Sequence, residues 1–436
     1  MLKNSNIESP KLKARLLLQY ILKKSRQYLI VYDNQEVDKK AQWEYFVNIE
    51  KLTKGMPLQH ITHTQEFMKM DFYVDENVLI PRPDTEILVE ETIKIAQTME
   101  RPKILDLCTG SGAIAISLKK YIPSAQVYAV DISKKALVIM CADNGIVEEN
   151  VSQSGQDVTA IVAANMASRK SSVCLMAGYT GAQVIPVDIG IACETIPSGK
   201  KIDDMDGILH KKISHGTKNF LKEHAMTDKQ CIKAIETGKE IVKMCSEKGI
   251  NIIATGEMGI GNTTTSAALA AILLDEKPEN VTGYGAGLTN EGLKNKTETV
   301  RKACEMYSGY KDDALKLLSC IGGLDIAGLA GVFIGGAEYG IPVVIDGLIS
   351  GIAALTAEYM SPGTKKYMIA SHAGKEPALK KILTHLELKP VIDANLALGE
   401  GSGAVMVFPL LDMAMSVYNE SNTFENIDME AYECLH

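Results

Sequence analysis

Three glycine-rich segments carry the residue types that chemistry on a small phosphorylated molecule needs. The first is GEMGIGNTTTSAALAAIL, beginning at Gly256 and Glu257. Its glycines, Gly259 among them, open a turn, Asn262 or Thr263 can cap the following helix, and the exposed amides suit a phosphate. A plain strand-to-helix turn would use the same residues, and the Gly-Lys-Ser/Thr end of a P-loop is missing. The second, TGYGAGLTNEGLKNKTETV (282–300), sets Gly283, Gly285 and Gly287 ahead of Lys294 and Lys296. A lysine there is either a point-charge partner for the same phosphate or part of a solvated helix face. The third, ALGEGSGAVMVFPLLDMA (397–414), places Glu400 between Gly399 and Gly401. A carboxylate in a partly dry turn has its pKa raised by desolvation and suits a general base. Against a helix N-terminus it is equally a cap.

These segments need a scaffold that brings them together. Apolar runs predict strands at 137–142, 173–176, 184–187, 251–255 and 343–345, with helices between them such as 228–248. Continuous Val/Ile/Leu strands imply a parallel sheet covered on both faces, with ligands at the carboxyl ends of the strands. Four of those ends pair glycine with an acid: Asp143-Asn144-Gly145, Asp188-Ile189-Gly190, the Gly256 segment and Asp346-Gly347. That pattern predicts a composite small-molecule site.

Upstream, residues 8–55 read as helices, with Leu12, Leu16, Leu17, Tyr20 and Ile21 three to four apart. Residues 58–78 predict a hairpin with 71–74 as one strand, and the prolines at 81 and 83 hold off a helix until Asp84 or Thr85 can cap it. A strand at 104–107, a turn at Gly110 and Gly112, a helix and a strand at 127–130 ending in Asp131 make the opening of a nucleotide-type βαβ unit. The glycines would let backbone approach a ligand, and Asp131 would bind a ribose diol. The stretch 131–145, DISKKALVIMCADNG, joins the two halves. Its apolar run predicts a buried strand, reached from Asp131 with at most one helical turn.

A net charge of −8 and a pI near 5.6 leave no basic footprint for nucleic acid. Apolar runs fall far short of the roughly 20 residues that span a bilayer, and the N-terminus shows no signal peptide, so a cytoplasmic protein acting on small molecules is expected, with no membrane partner. Nine cysteines without a CxxC pair suit reduced thiols, and no His/Cys/Asp cluster suggests a metal.

Taken together, GMPLQHI (55–61), IPRPDTE (80–86), LDLCTGSGAIAI (105–116) and VYAVDIS (127–133) resemble the N-terminal part of the peptide chain release factor glutamine methyltransferases. The resemblance covers residues 1 to about 137. It implies a small helical domain, 1–56, and part of an S-adenosylmethionine-binding fold, 57–136, with Gly110 and Gly112 at the methionine moiety and Asp131 at the ribose. The family's substrate motif Asn-Pro-Pro-Tyr occurs nowhere in the chain, so S-adenosylmethionine is expected, if it binds at all, at a vestigial site.

From about 133 onward the chain is similar to the nicotinate-nucleotide dimethylbenzimidazole phosphoribosyltransferases. The motifs are ALVIMCADNGIVEENVSQSGQDVTAIVAANM, VIPVDIGIA, IATGEMGIGNTTTSAAL, VTGYGAGLTNEGLKNK, GGLDIAGLAGVFIGGA, PVVIDGLIS, IASHAGKEPAL and LGEGSGA. The resemblance implies a Rossmann-like parallel-sheet domain over 137–436 that works as a homodimer in the lower-ligand branch of cobalamin assembly. It would transfer phosphoribose from nicotinate mononucleotide to 5,6-dimethylbenzimidazole without a cofactor. Glu400 would be the general base. Glu257, Gly259, Lys296 and Gly399 would surround the ribose phosphate, Asp143, Ser152 and Gln156 would lie near the base, and Ser371, His372 and Glu376 would wall the pocket. The family's Lys-Pro-Leu-Gly-Ser-Leu-Gly-like segment before the first strand is absent here. Two alternatives therefore stand beside the transferase: an inactive fusion of two truncated enzymes, and a glutamine N5-methyltransferase acting on release factors.

Overall fold

The structure, a computed structural model, describes residues 9–75, 78, 80–107, 109–130, 134–194, 207–285, 287–396 and 398–420. The chain forms two compact units, Met1–Asp131 and Ile132–His436; the sequence reading divides the first of these at 56/57 and ends it at 136.

In the first unit the helices Pro10–Leu22 and Lys39–Thr53 pack through Leu17, Ile49 and Leu52, joined by Leu58 and Ile61 of the short helix Leu58–Thr62. Asp38 starts the second of these by accepting the N–H groups of Lys40 and Ala41. The hairpin is shorter than predicted. Residues 58–62 are helical, and the strands are β1 (Gln65–Phe67) and β2 (Met70–Phe72), joined through Met68 and Lys69 at positive φ, the backbone a tight two-residue hairpin turn demands. The predicted strand 71–74 keeps only Asp71 and Phe72. The helix Asp84–Ala96 follows, beginning after Pro83 with no side-chain cap, in place of the cap expected from Asp84 or Thr85. Strands β3 (Lys103–Leu107) and β4 (Gln126–Val130) pair in parallel around the helix Ala113–Tyr121, as the βαβ pattern predicts.

The second unit is built on a six-stranded, all-parallel sheet in the order β10-β9-β8-β5-β6-β7. Its strands are β5 (Lys135–Ala142), β6 (Gln183–Gly190), β7 (Leu209–His210), β8 (Ile252–Met258), β9 (Val343–Ile345) and β10 (Met368–Ala370); β11 (His372–Gly374) and β12 (Ile392–Leu396) form a separate pair. All eight residues of β5 are buried. Ala136, Val138, Met140 and Ala142 enter a core with the helices Asp228–Glu247, Asn262–Leu273, Leu324–Tyr339 and Leu348–Met360. Leu137, Ile139 and Cys141 enter a second core with Asp157–Ala167, Ser172–Tyr179 and Ser402–Glu420. Successive strand residues point to opposite faces, so a strand covered on both sides must be apolar throughout.

The predicted strand at 173–176 is wrong: these residues lie in the helix Ser172–Tyr179. A four-residue apolar run does not distinguish strand from buried helix. Ser171 decides it, its side chain accepting the N–H of Cys174 as an N-cap. At the junction, β5 starts at Lys135; residues 131–133, including Asp131, lie outside the described residues.

Candidate functional site

The carboxyl ends of β5, β6, β8 and β9 bring four acid-bearing strand ends together. Close backbone approach there requires glycine. A Cβ on Gly259 would fall 2.1 Å from the Ala142 carbonyl oxygen, and one on Gly256 would fall 2.4 Å from that of Glu400. Gly256 thus lets the 399–401 loop lie against the end of β8.

Glu400 stands at the crown of that loop with φ 64°, a left-handed backbone that costs a non-glycine residue on the order of 1 kcal/mol. Such strain persists only where the surroundings impose it. Here Asp346, at the end of β9, accepts the N–H of Gly401 at 3.2 Å and of Ala404 at 3.0 Å, fixing the loop to the start of the helix Ser402–Glu420. Burial raises the Glu400 carboxyl above its usual range and pushes Asp346 up to about 6. A carboxyl with a raised pKa, on a rigid turn, is a better proton acceptor than an ordinary exposed carboxylate.

Glu257 lies at the end of β8, partly accessible. Burial, then the neighbouring Asp325 carboxylate, with smaller contributions from Asp346 and Glu400, push it up to about 8, so it holds its proton at neutral pH. Asn262 donates to Glu257 and, at 3.1 Å, to Asp325. The expected cap role of Asn262 or Thr263 is not seen: Gly261, at φ 94°, precedes the helix Asn262–Leu273, and no side chain caps it. Asn262 is thereby free to bridge the two acids.

The two candidate lysines separate cleanly. Lys294 is exposed, a solvated face residue, whereas Lys296 is fully buried. Its Nζ donates to Thr263 Oγ1 at 2.9 Å and to the Gly283 carbonyl at 3.0 Å. Burial lowers its pKa to about 8, against the opposing pull of Glu376. The first turn of the helix Asn262–Leu273 at Thr263, the 283–285 turn and this ammonium form a corner lined with donors, in which the Gly285 N–H donates to the Glu376 carboxylate at 3.0 Å.

Asp143 is fully buried, and its carboxylate is taken up by the protein: Thr159 Oγ1 donates at 2.6 Å and the Ala192 N–H at 2.8 Å. It ties β5 to the helix Asp157–Ala167 and to the loop after β6, and no oxygen of it faces an open surface. Gln156 donates to the Asn144 carbonyl at 3.4 Å, and Ser152 Oγ accepts the Ser154 N–H at 3.2 Å, so both sit on the loop leading into that helix. A Cβ on Gly399 would meet nothing within 4 Å, leaving that backbone open. His372 is buried, lowered in pKa by that burial, and shares a 2.8 Å hydrogen bond with Ser371 Oγ, while Gly403 packs on its ring. Its place is that of a structural histidine.

Sequence reasoning misses Asp325 and Thr159. Asp325 has a readable signal, a lone acid in the first turn of the helix Leu324–Tyr339, whose next charged residue is Glu338. Thr159 has none.

In the first unit Gly110 and Gly112 hold positive φ, and Asp106 Oδ2 closes the turn by accepting Thr109 Oγ1 at 2.7 Å and the Ala115 N–H at 3.0 Å. Asp131 lies outside the described residues. Among the described residues no group of three His, Cys, Asp or Glu side chains is arranged to hold a metal ion, and no helix is long and apolar enough to cross a membrane.

The sequence matches the family model described as Phosphoribosyltransferase over residues 114–428, and that of the PrmC N-terminal domain over 1–62. The nicotinate-nucleotide–dimethylbenzimidazole phosphoribosyltransferase of Acetivibrio thermocellus is 44% identical over 304 residues, 69% of this chain and 84% of that protein. Its counterpart in Clostridium acetobutylicum is 43% identical over 70% of this chain and 84% of its own length. The crystal structure of CobT from Thermus thermophilus superposes with a TM-score of 0.65 at 29% identity, covering 81% of this chain and 96% of that one. A second, of the nicotinate-nucleotide–dimethylbenzimidazole phosphoribosyltransferase from the same organism, gives 0.63 at 33% identity over 69% and 86%. With a parallel sheet whose strand ends carry these acids, and relatives of this similarity, the chain belongs to the nicotinate-nucleotide–dimethylbenzimidazole phosphoribosyltransferase family.

Proposed function

We propose that the chain transfers the phosphoribosyl group of nicotinate mononucleotide to a ring nitrogen of 5,6-dimethylbenzimidazole, giving α-ribazole 5′-phosphate and nicotinate. The observation that carries this reading is Glu400, a carboxyl of raised pKa on a strained turn pinned by Asp346 and seated on Gly256. From Gly256 the same strand end leads through Glu257 to Thr263 and Lys296, where the substrate phosphate would bind.

In this reading one imidazole nitrogen attacks the anomeric carbon as the bond from that carbon to the nicotinate nitrogen breaks. The bonding pair leaves with nicotinate, and Glu400 takes the proton from the other imidazole nitrogen. Attack opposite the leaving group turns a β linkage into an α linkage. A positioned base contributes roughly 10²- to 10⁴-fold, and holding the two substrates together supplies much of the rest. Lys296, Thr263 and the Gly285 N–H would hold the phosphate, and protonated Glu257 would face the ribose as a neutral hydrogen-bonding group. Asp143 would act by positioning β5, with Ser152 and Gln156 on the loop beside the base. The reaction needs no cofactor.

The enzyme would act in the cytoplasm as a homodimer. Leu410, Met413 and Val417 on the helix Ser402–Glu420 are exposed, as are Leu175 and Tyr179 on Ser172–Tyr179, an apolar surface of the kind a second subunit covers. Light scattering on the purified chain tests this: a mass of one chain rejects it. Activity is tested by supplying both substrates and looking for α-ribazole 5′-phosphate by mass spectrometry.

A further inference from the structure

Glu376 immediately precedes the helix Pro377–His385, yet its side chain makes no capping bond to that helix. The carboxylate reaches instead to a residue 91 positions away, where Oε1 accepts the N–H of Gly285 at 3.0 Å. Its other oxygen, Oε2, is buried without a hydrogen-bond partner and lies against Gly283, where a Cβ would fall 2.0 Å from it. Lys296 is the adjoining cation. A Cβ on Gly285 would lie 3.3 Å from its Nζ and 3.0 Å from Thr263 Oγ1, and the hydroxyl and carbonyl oxygens to which Nζ donates are both neutral. The corner therefore holds a buried ammonium, a hydroxyl, an inward N–H and a carboxylate that is only half satisfied.

Buried carboxylates normally keep every oxygen bonded, and an orphaned one is a costly arrangement. A phosphate in this corner would bring about two negative charges and three acceptor oxygens to the same donors. Two anions cannot share one ammonium and one N–H at that range. We propose that Glu376 is an internal stand-in for the substrate phosphate, holding the 283–285 turn in the unliganded chain and withdrawing when the phosphoribosyl substrate binds. This rests on the reading of Lys296 and Thr263 as the phosphate subsite.

The withdrawn carboxylate has somewhere to go. Pro377 has no N–H and the Leu379 N–H already donates to the Glu376 carbonyl, so in the first turn of Pro377–His385 the group within reach of this N-cap side chain is the Ala378 N–H, and the flanking Lys375 and Pro377 are exposed to solvent. The exchange also selects the ligand. A phosphate monoester replaces what it expels, whereas a riboside without phosphate gains nothing in this corner and leaves Glu376 in place.

When a competing state fills a site about nine-tenths of the time, apparent affinity falls about tenfold. Calorimetric titration of the full chain with inorganic phosphate and with nicotinate mononucleotide, for wild type, Glu376→Gln and Glu376→Ala, tests the proposal. Gln keeps an acceptor for Gly285 without the charge, so it guards against a merely unfolded variant. The expected result is binding roughly tenfold tighter in both variants. Equal or weaker binding in the variants overturns the stand-in while leaving the phosphate subsite intact. No binding of either ligand by wild type or variants overturns the subsite itself, and the stand-in with it.

Discussion

The carboxylate of Asp346 accepts the backbone N–H of Gly401, 55 residues further along the chain, at 3.2 Å, and so fixes the turn on which Glu400 stands. With its second oxygen on Ala404, Asp346 ties the end of β9 to the first turn of the Ser402–Glu420 helix. Asp346→Asn keeps the shape but replaces one acceptor oxygen with a donor that faces an N–H. The expected result is a fall in kcat of about tenfold or more with KM for nicotinate mononucleotide little changed, since a mispositioned base harms the reaction and spares ground-state binding. Steady-state kinetics on the purified variant decides it; a change confined to KM speaks against positioning.

Lys296 ties phosphate binding to pH. Its folded pKa of about 8 lies below the usual lysine value, so the free protein loses this charge as pH rises through 8. KM for nicotinate mononucleotide should therefore climb as pH rises from neutral through that value. Lys296→Met should weaken binding by about 10- to 100-fold at neutral pH, the usual worth of a hydrogen bond to a charged group, and should flatten that climb. A variant with unchanged KM refutes the assignment.

Glu257 sets a slope in stability. Its pKa is about 8 in the folded chain against an ordinary 4.5, so the folded state binds the proton more tightly than the unfolded state does. Stability attributed to this group is then greatest below about 4.5 and declines as pH rises through 8, by at most about 1.4 kcal/mol per pH unit. Asp325 and Asp346, at about 6, add to the lower part of that window. Thermal unfolding of Glu257→Gln should show a shallower fall in Tm between about pH 6 and 8 than wild type, and parallel curves would count against the assignment.

The core offers a test independent of the site. A Cβ on Gly238 would fall 2.1 Å from the Gly328 carbonyl oxygen, where the helices Asp228–Glu247 and Leu324–Tyr339 cross. Gly238→Ala gains about 1 kcal/mol of helix propensity but must open that crossing, so a lower Tm is expected, as overpacking costs about 1–3 kcal/mol. A variant as stable as wild type would mean that the crossing yields easily.

For the first unit, titration with S-adenosylmethionine should release no measurable heat. The Asp106 carboxylate already closes the Gly110–Gly112 turn on itself, and β3 and β4 form only a two-stranded pair. Micromolar binding would contradict this.

Much of this is legible in the sequence, for identifiable reasons. Strand β5 can be read because burial on both faces demands an apolar run, and the strand ends because glycine and acid recur there. Glu400 stands out between its glycines. The helix at 172–179 reads as a strand because its apolar run carries no period of its own and only Ser171 marks its start. Asp143 is expected near the lower-ligand base, and the groups that take up its carboxylate, Thr159 and Ala192, lie 16 and 49 residues away, a pairing that no local pattern encodes. The same holds for Glu376 and Gly285. Long-range hydrogen bonds decide which acids face inward, and spacing along the chain does not carry that information.

The most direct test of the central claim is product formation by the full-length chain. Supplied with nicotinate mononucleotide and 5,6-dimethylbenzimidazole, wild type should yield α-ribazole 5′-phosphate and nicotinate in equal amounts, and Glu400→Gln should be slower by about 10²- to 10⁴-fold in kcat, with KM little changed. Absence of product from folded wild-type protein, or full turnover by the Glu400→Gln variant, would contradict the account.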